Sequence, residues 1–217
     1  MVAGCGGEDD DRPTIYAASS LRSALPAVLP DARYSFGGSN QLRSQIERGA
    51  PADVFIGASP KDPAALAKAG KCERPVAVAT NELVMIVPAG GERLSLAALA
   101  RGGHRIAVGA EGVPIGDYTR TLLQRAGATA VLTRNVVSSE TSVASIVAKV
   151  RAGSADAGFV YVTDVDGVRA VRLPRAAQPT VRYEACAVRA AGRAYVRALR
   201  SPAVQRALVD RGFGRAP

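Results

Sequence analysis

Four segments of the chain place serine, threonine or glycine where an apolar run gives way to a helical pattern. They are AASSL (17–21), FGGSN (36–40), GVPIGDY (112–118) and SSETSV (138–143). Hydroxyl groups and the free N–H groups of a helix start donate hydrogen bonds, and the helix dipole adds partial positive charge there. Such positions bind anions without a cationic side chain. Each segment also has an ordinary explanation as a helix cap or a turn, so anion binding requires that the segments meet.

The elements that position these segments are predicted from the hydrophobic pattern. Short apolar runs such as TIYAA (14–18) and DVFIGA (53–58) alternate with helical patterns, which is typical of βαβ units. The alternation begins again after ELVMIVPAG (82–90). The sequence therefore predicts an α/β fold of two lobes, each a mostly parallel sheet flanked by helices. Ligands of open α/β sheets bind beyond the carboxyl ends of the strands, so we predict a ligand cleft between the lobes.

The predicted division of the chain has a tether and two lobes. The strands that cross between the lobes are predicted to act as hinges. The tether is 1–12, the first lobe is 13–84 with 184–217, the second lobe is 85–183, and the hinge strands lie near 82–87 and 181–187.

The N-terminus and the cysteines bear on the location of the protein. Val2-Ala3-Gly4-Cys5 resembles the end of a bacterial lipoprotein signal, and a polar, acidic stretch follows it. We expect a lipid on Cys5 and a chain that begins within a truncated precursor, because no apolar segment precedes the cysteine. The alternative is a cytosolic start that happens to contain a cysteine. An exported location would allow a disulfide between Cys72 and Cys186, and two buried thiols are the alternative.

Composition argues against several other kinds of protein. The net charge of +9 suggests nucleic acid as a partner, but the arginines are scattered and aromatic residues make up only 5% of the chain. We therefore expect a solvated basic surface and no nucleic-acid partner. His104 is the only histidine and the three cysteines are widely spaced, so no protein ligands for a metal and no Ser-His-Asp triad are expected. No GxGxxG or P-loop lysine is present, and no cofactor is predicted.

Four longer stretches are similar to a known family. TIYAASSL, SFGGSNQLRSQIERGAPADVFIGAS, GVPIGDYTRTLLQRAG and VAKVRAGSADAGFVYVTD resemble the molybdate-binding proteins of bacterial ABC importers, the ModA family. The resemblance runs from about Thr14 to the C-terminus. It implies a type II periplasmic binding-protein fold and a monomer without enzymatic activity. It also implies an extracytoplasmic protein that delivers molybdate, and tungstate, to an ABC permease with its ATPase.

The resemblance also implies which groups would bind the anion. Three are hydroxyl groups, those of Ser20, Ser39 and Tyr161. Two are backbone N–H groups, those of Ile115 and Val143. Two further candidates are Ser19, one place before the first serine, and Gly38, where the backbone can approach a ligand closely. The metal would be held only within its oxyanion, with no direct bond to protein.

Two alternatives remain open. The same fold and donors would suit sulfate or another small anion. The size of the cavity would decide between them, and a sequence does not give that size. A two-lobe α/β enzyme acting on a phosphorylated or carboxylated substrate is the alternative from another class, although no nucleophile and base pair is evident.

Overall fold

The computed structural model describes residues 12–92 and 94–217, and within them the strands form two five-stranded sheets with helices packed on both. The strands are β1 (Thr14–Ala18), β2 (Arg33–Gly37), β3 (Val54–Gly57), β4 (Val76–Asn81), β5 (Leu83–Pro88), β6 (Ile106–Gly109), β7 (Val136–Glu140), β8 (Ala157–Tyr161), β9 (Val168–Arg172) and β10 (Val181–Ala187). The helices are α1 (Leu25–Val28), α2 (Ser39–Glu47), α3 (Lys61–Lys68), α4 (Leu96–Arg101), α5 (Pro114–Arg125), α6 (Ala130–Arg134), α7 (Val143–Arg151), α8 (Arg193–Leu199) and α9 (Pro202–Val209). Short 3-10 turns lie at Ser19–Leu21, Val162–Asp164, Arg175–Ala177 and Ala190–Gly192.

The two sheets have the same internal arrangement. The first has the order β2-β1-β3-β10-β4 and the second the order β7-β6-β8-β5-β9. In each sheet four strands run in the same direction, and one strand that comes from beyond the lobe, β10 or β5, runs antiparallel to its neighbours. The predicted two-lobe α/β fold is confirmed. The sheets are mixed because the strand by which the chain enters a sheet from the other one, β5 or β10, runs against its neighbours.

Sheet membership changes at two places in the chain. β4 ends at Asn81 in the first sheet, and β5 begins at Leu83 in the second. The chain returns between Arg172 and Val181, and all of β10 belongs to the first sheet. The predicted lobe boundaries, after residues 84 and 183, fall inside β5 and β10. The assignment of individual residues to lobes stays a prediction, and the tether up to residue 11 lies outside the described residues.

Helix α7 follows its hydrophobic pattern. Val143, Ile146, Val147 and Val150 recur at i, i+3, i+4 and i+7, and all four are buried. Gly153 follows the helix with a φ of 69°, a conformation that favours glycine and ends the helix. The buried face packs on β5, β6 and β8, which holds the first turn of α7 against the carboxyl end of β8.

A disulfide joins Cys72, just beyond α3, to Cys186 in β10. Of the two alternatives for these cysteines, the structure has the crosslink. The two residues are 114 positions apart, so the bond closes a long loop and stabilises the fold by about 4–5 kcal/mol in the chain-entropy description. Among the described helices, none combines the length and the apolar character that crossing a bilayer requires.

Candidate functional site

The four segments meet at one cavity between the two sheets. All five predicted ligand positions line it, and so do Ser19 and Gly38. The lining residues are Ala18, Ser19, Ser20, Gly37, Gly38, Ser39, Ala58, Val113, Pro114, Ile115, Ser142, Val143 and Tyr161. The cavity measures about 10 Å³, which suits a small ion or a single water and excludes a nucleotide or a sugar. That these residues bind an anion stays a prediction.

The first lobe contributes serine hydroxyls. Ser20 lies in the 3-10 turn that follows β1, and Ser39 is the first residue of α2 after β2. Each is only 2% exposed. The Oγ of Ser39 accepts a hydrogen bond from the backbone N–H of Ala58 at 3.1 Å, and the Oγ of Ser20 lies 2.8 Å from the hydroxyl of Tyr183. Each serine is therefore held in place by a hydrogen bond with another protein group.

The second lobe contributes two helix starts. Pro114 is the first residue of α5 and has no N–H, so Ile115 carries the first free N–H of that helix. Val143 is the first residue of α7. N–H groups in the first turn have no partner within their own helix. The Ser142 hydroxyl caps the N–H of Ser145, at 3.3 Å, and leaves the N–H of Val143 to the cavity.

Tyr161 closes the cavity at the end of β8. Its side chain is 1% exposed, and its hydroxyl makes no hydrogen bond with any described residue. Burial, with a smaller contribution from nearby Tyr183, raises the pKa of Tyr161 well above its ordinary value of 10. The phenol therefore stays protonated near neutral pH and is available as a donor.

Gly38 is required by the approach of the two lobes. A Cβ on Gly38 would lie 2.1 Å from the backbone oxygen of Thr141, which precedes α7 on the other side of the cavity. A Cβ on Gly37 would meet only the flexible side chain of Leu42, at 3.3 Å. The sequence suggests Gly38 as a place where backbone approaches ligand. The structure adds that backbone from the two lobes meets there.

The walls of the cavity carry no charge. Serine, tyrosine, glycine and apolar residues make up the whole described lining. An ion pair between Lys61 and Asp117, at 3.4 Å, joins the two lobes at the surface, and neither residue lines the cavity. Within the described residues, no group of histidine, cysteine, aspartate or glutamate side chains could hold a metal ion. The hydroxyls and free N–H groups around the cavity can each donate a hydrogen bond, which suits an anion that carries no proton.

Three contributors to the site were missed by sequence reasoning. Tyr183 and Asn81 lie behind Ser20, and Ala58, which itself lines the cavity, donates its N–H to Ser39. Tyr183 comes 163 positions after Ser20, and no local motif marks it. Asn81 directly precedes the crossing between the sheets, which is the one signal that the sequence offers for it.

Two lobes joined by two crossings, with helix starts and hydroxyls around a cavity between them, define a type II periplasmic binding protein. The chain matches a family described as "Bacterial extracellular solute-binding protein" over residues 14–214. The protein belongs to this family of solute-binding proteins, and the resemblance to the ModA proteins is confirmed by the relatives described next.

One relative and two solved structures illustrate the similarity. The molybdate-binding protein ModA of Mycobacterium tuberculosis is 34% identical over an alignment 222 positions long, which covers 93% of this chain and 84% of that protein. The periplasmic molybdate-binding protein of Azotobacter vinelandii has a TM-score of 0.80 at 22% identity, covering 95% of this chain and 100% of that one. The sulfate-binding protein SubI of Mycobacterium tuberculosis has a TM-score of 0.79 at 17% identity, covering 93% and 86%. The two structures support the fold.

Proposed function

We propose that this protein captures molybdate, and tungstate, as a tetrahedral dianion and delivers it to an ABC permease with its ATPase. The observation that carries the proposal is the small uncharged cavity in which hydroxyls of one lobe face helix starts of the other. The identity to ModA proteins supports molybdate as the ligand. The protein would act by binding alone, without cofactor or catalysis.

The donor set matches the chemistry of these anions. Molybdate and tungstate are fully deprotonated near neutral pH, so every oxygen accepts hydrogen bonds and none donates. Burying a dianion is costly unless hydrogen bonds and dipoles compensate. The five predicted donors, at about 1.5–3 kcal/mol for each charge-assisted bond, would contribute about 7–15 kcal/mol. Micromolar affinity corresponds to about 8 kcal/mol, which lies within this range, so the donor set permits binding of that order.

Closure of the lobes would couple binding to delivery. Ser20 and Ser39 stand on the first lobe, and Ile115, Val143 and Tyr161 stand on the second. Only the closed arrangement brings all five donors to one anion, so the anion favours the closed state. A permease that docks to both lobes would recognise closure. Anchoring through a lipid on Cys5 and a monomeric state are parts of this proposal, and Cys5 lies outside the described residues.

Sulfate is the second candidate ligand. The likeness of the fold to a sulfate-binding protein supports it, and sulfate is also a tetrahedral dianion without a proton. The two candidates differ in the size of the anion. They are separated by thermal unfolding of the purified protein with molybdate, tungstate, sulfate or phosphate at equal concentration. A ligand at 100 times its Kd adds about 2.7 kcal/mol of stability, so a tight ligand raises the Tm clearly.

The outcomes of this experiment are distinct. A rise in Tm with molybdate and tungstate alone supports the proposal. A rise with sulfate alone keeps the fold and changes the ligand. No rise with any of the four anions overturns the proposal and favours an enzyme or an organic ligand.

Ser39→Ala tests the role of a single donor. The substitution removes a hydroxyl that faces the cavity and should weaken molybdate binding by about 1–3 kcal/mol, measured by isothermal titration calorimetry. Ser59→Ala is the matched control, because Ser59 is also a buried serine of the first lobe but does not line the cavity. Equal Kd values for the two variants would remove Ser39 from the site.

A further inference from the structure

Behind Ser20 a chain of hydrogen bonds runs away from the cavity. The hydroxyl of Tyr183 lies 2.8 Å from the Oγ of Ser20, and the Nδ2 of Asn81 donates to the Tyr183 oxygen at 3.4 Å. All three residues are buried, with Tyr183 at 0% exposure and Asn81 at 8%. Buried polar networks of this kind fix the direction of each hydrogen bond, because no water is at hand to supply an alternative partner.

The amide of Asn81 has only one orientation that satisfies its neighbours. The backbone N–H of Glu82 donates to the Oδ1 of Asn81 at 2.9 Å, and a backbone N–H is always a donor. The Nδ2 group therefore faces the other way. Its two hydrogens go to the Oγ1 of Thr163, at 2.9 Å, and to the hydroxyl of Tyr183.

The orientation of Asn81 in turn fixes the direction of the hydrogen bonds from Tyr183 to Ser20 and from Ser20 toward the cavity. Because the Tyr183 oxygen accepts a hydrogen bond from Asn81, its own proton is directed to the remaining partner, the Oγ of Ser20. The serine oxygen accepts this hydrogen bond from the Tyr183 hydroxyl. The hydroxyl hydrogen of Ser20 is left for the cavity that the residue lines.

We infer that Tyr183, oriented by Asn81, is a positioning residue that holds the Ser20 hydroxyl as a donor toward the cavity and selects oxyanions that carry no proton. This inference rests on the proposed function. Ser39 is oriented by the same principle, since the N–H of Ala58 donates to its oxygen. An anion with an O–H group would need one of these oxygens as an acceptor, and the hydroxyl hydrogen of that serine would then have to turn away from the anion.

A double-mutant cycle with molybdate tests the coupling. Tyr183→Phe keeps the ring, whose edge contacts with Tyr161 and Phe213 have centroid distances of 5.8 and 5.7 Å, and removes only the hydroxyl. Calorimetry on the wild type should show a measurable Kd, and Tyr183→Phe should weaken it by about tenfold. Because Tyr183 acts through Ser20, adding Tyr183→Phe to Ser20→Ala should change the Kd by less than about twofold. Additive losses in the double variant would overturn the inference.

Tyr34→Phe is the control for loss of a tyrosine hydroxyl. The Tyr34 hydroxyl also lies in the first lobe, where it donates to the backbone oxygens of Leu25 and Leu29. Its removal should leave the Kd for molybdate unchanged. A Tyr34→Phe loss as large as that of Tyr183→Phe would mean that the effect is a general loss of stability, against the inference.

Anion selectivity supplies a readout that a purely structural role would not move. Sulfate and hydrogen phosphate at pH 8 have similar size and charge and differ by one proton. Displacement of molybdate by each should favour sulfate in the wild type, and Tyr183→Phe should narrow that preference several-fold because Ser20 is then free to accept. An unchanged preference, or no displacement by phosphate in either protein, overturns the assignment. Failure of the proposed function is recognised separately, since the wild type would then bind no molybdate at all.

Discussion

Two cavities lie between the lobes, and they share Ser19 and Ser20 in a common wall. The first is the small neutral cavity already described. The second is far larger, about 400 Å³, and its lining includes Arg22, Arg151, Asp164 and Asp166. By size and charge the second would be the more obvious ligand site. The first cavity offers neutral hydrogen-bond donors, whereas carboxylates line part of the second, where they would repel a dianion.

Asp164 is a further difference between the two cavities, because it lines the second and not the first. Burial raises the pKa of its carboxyl to about 7, and a hydrogen bond from the backbone of Tyr161 opposes the rise. One of its oxygens has no hydrogen-bond partner among the described residues. The fold thus places an unsatisfied carboxyl directly behind Tyr161, but outside the neutral cavity.

Gly38→Ala should produce the largest loss of binding to the neutral cavity. The added Cβ would lie 2.1 Å from the Thr141 oxygen, so the lobes could not meet and the donors of the second lobe would be lost. With at least two charge-assisted bonds missing, we expect the Kd for molybdate to rise by about 100-fold or more. Calorimetry measures this, and Gly37→Ala, which meets only a side chain, should bind nearly as the wild type does. Equal Kd values for the two variants would contradict the closure contact.

Val143→Pro should have the next largest effect, because it deletes one backbone donor. Proline is tolerated at the first position of a helix, and Ser142 before it is already extended, with φ −152° and ψ 158°. Losing one donor to a buried charge should weaken binding by about 10- to 100-fold. Val143→Ala keeps the N–H and trims the same side chain. If Val143→Ala weakens binding as much as Val143→Pro does, the N–H is not the donor.

Asp164→Asn changes a residue of the larger, charged cavity and should affect the free energy of unfolding of the protein. The unfolded chain ionises this carboxyl near 3.8 and the folded protein near 7, so wild-type stability should fall as pH rises from about 4 to 7 and stay level above. The amide removes that fall. We expect the variant to gain about 1–2 kcal/mol relative to the wild type between pH 4.5 and 7.5, less than the full shift implies because the carboxyl keeps some solvent contact.

Urea unfolding at several pH values measures this gain. Asp166→Asn removes a carboxylate from the same cavity, but one whose side chain is 87% exposed. It should leave the pH dependence as it is in the wild type. A parallel pH dependence in wild type and Asp164→Asn would show that this carboxyl is ionised alike in the folded and unfolded states.

Arg151→Ala should have the smallest effect. The side chain lines the charged cavity, is 56% exposed and pairs with Asp166 at 3.3 Å. An exposed ion pair is worth about 0–1 kcal/mol, and the neutral cavity does not include this residue. The Kd for molybdate should change by less than about twofold by calorimetry. A tenfold loss of affinity for molybdate would mean that the charged cavity takes part in binding, which would contradict the contrast between the two cavities.

Local pattern was sufficient to predict much of the site. The βαβ alternation places small and hydroxyl residues at the carboxyl ends of strands, and the resemblance assigns roles to Ser20, Ser39, Ile115, Val143 and Tyr161. The structure brings all five to one cavity. Four of these residues lie in strand-to-helix segments that a few neighbouring residues encode, whereas Tyr161 was assigned only through the resemblance.

The sequence by itself determined the alternation of strands and helices, the apolar face of α7 and the small and hydroxyl residues of the ligand turns. Only the tertiary structure decided that Tyr183 and Asn81 lie behind Ser20, that Gly38 meets Thr141, and that Asp164 is half-buried beside Ser20 with one shielded carboxyl oxygen. Those contacts join residues that are distant in the chain. They exist because the chain crosses twice between two sheets that close on one another. No local pattern of residues predicts how closely two folded surfaces will approach.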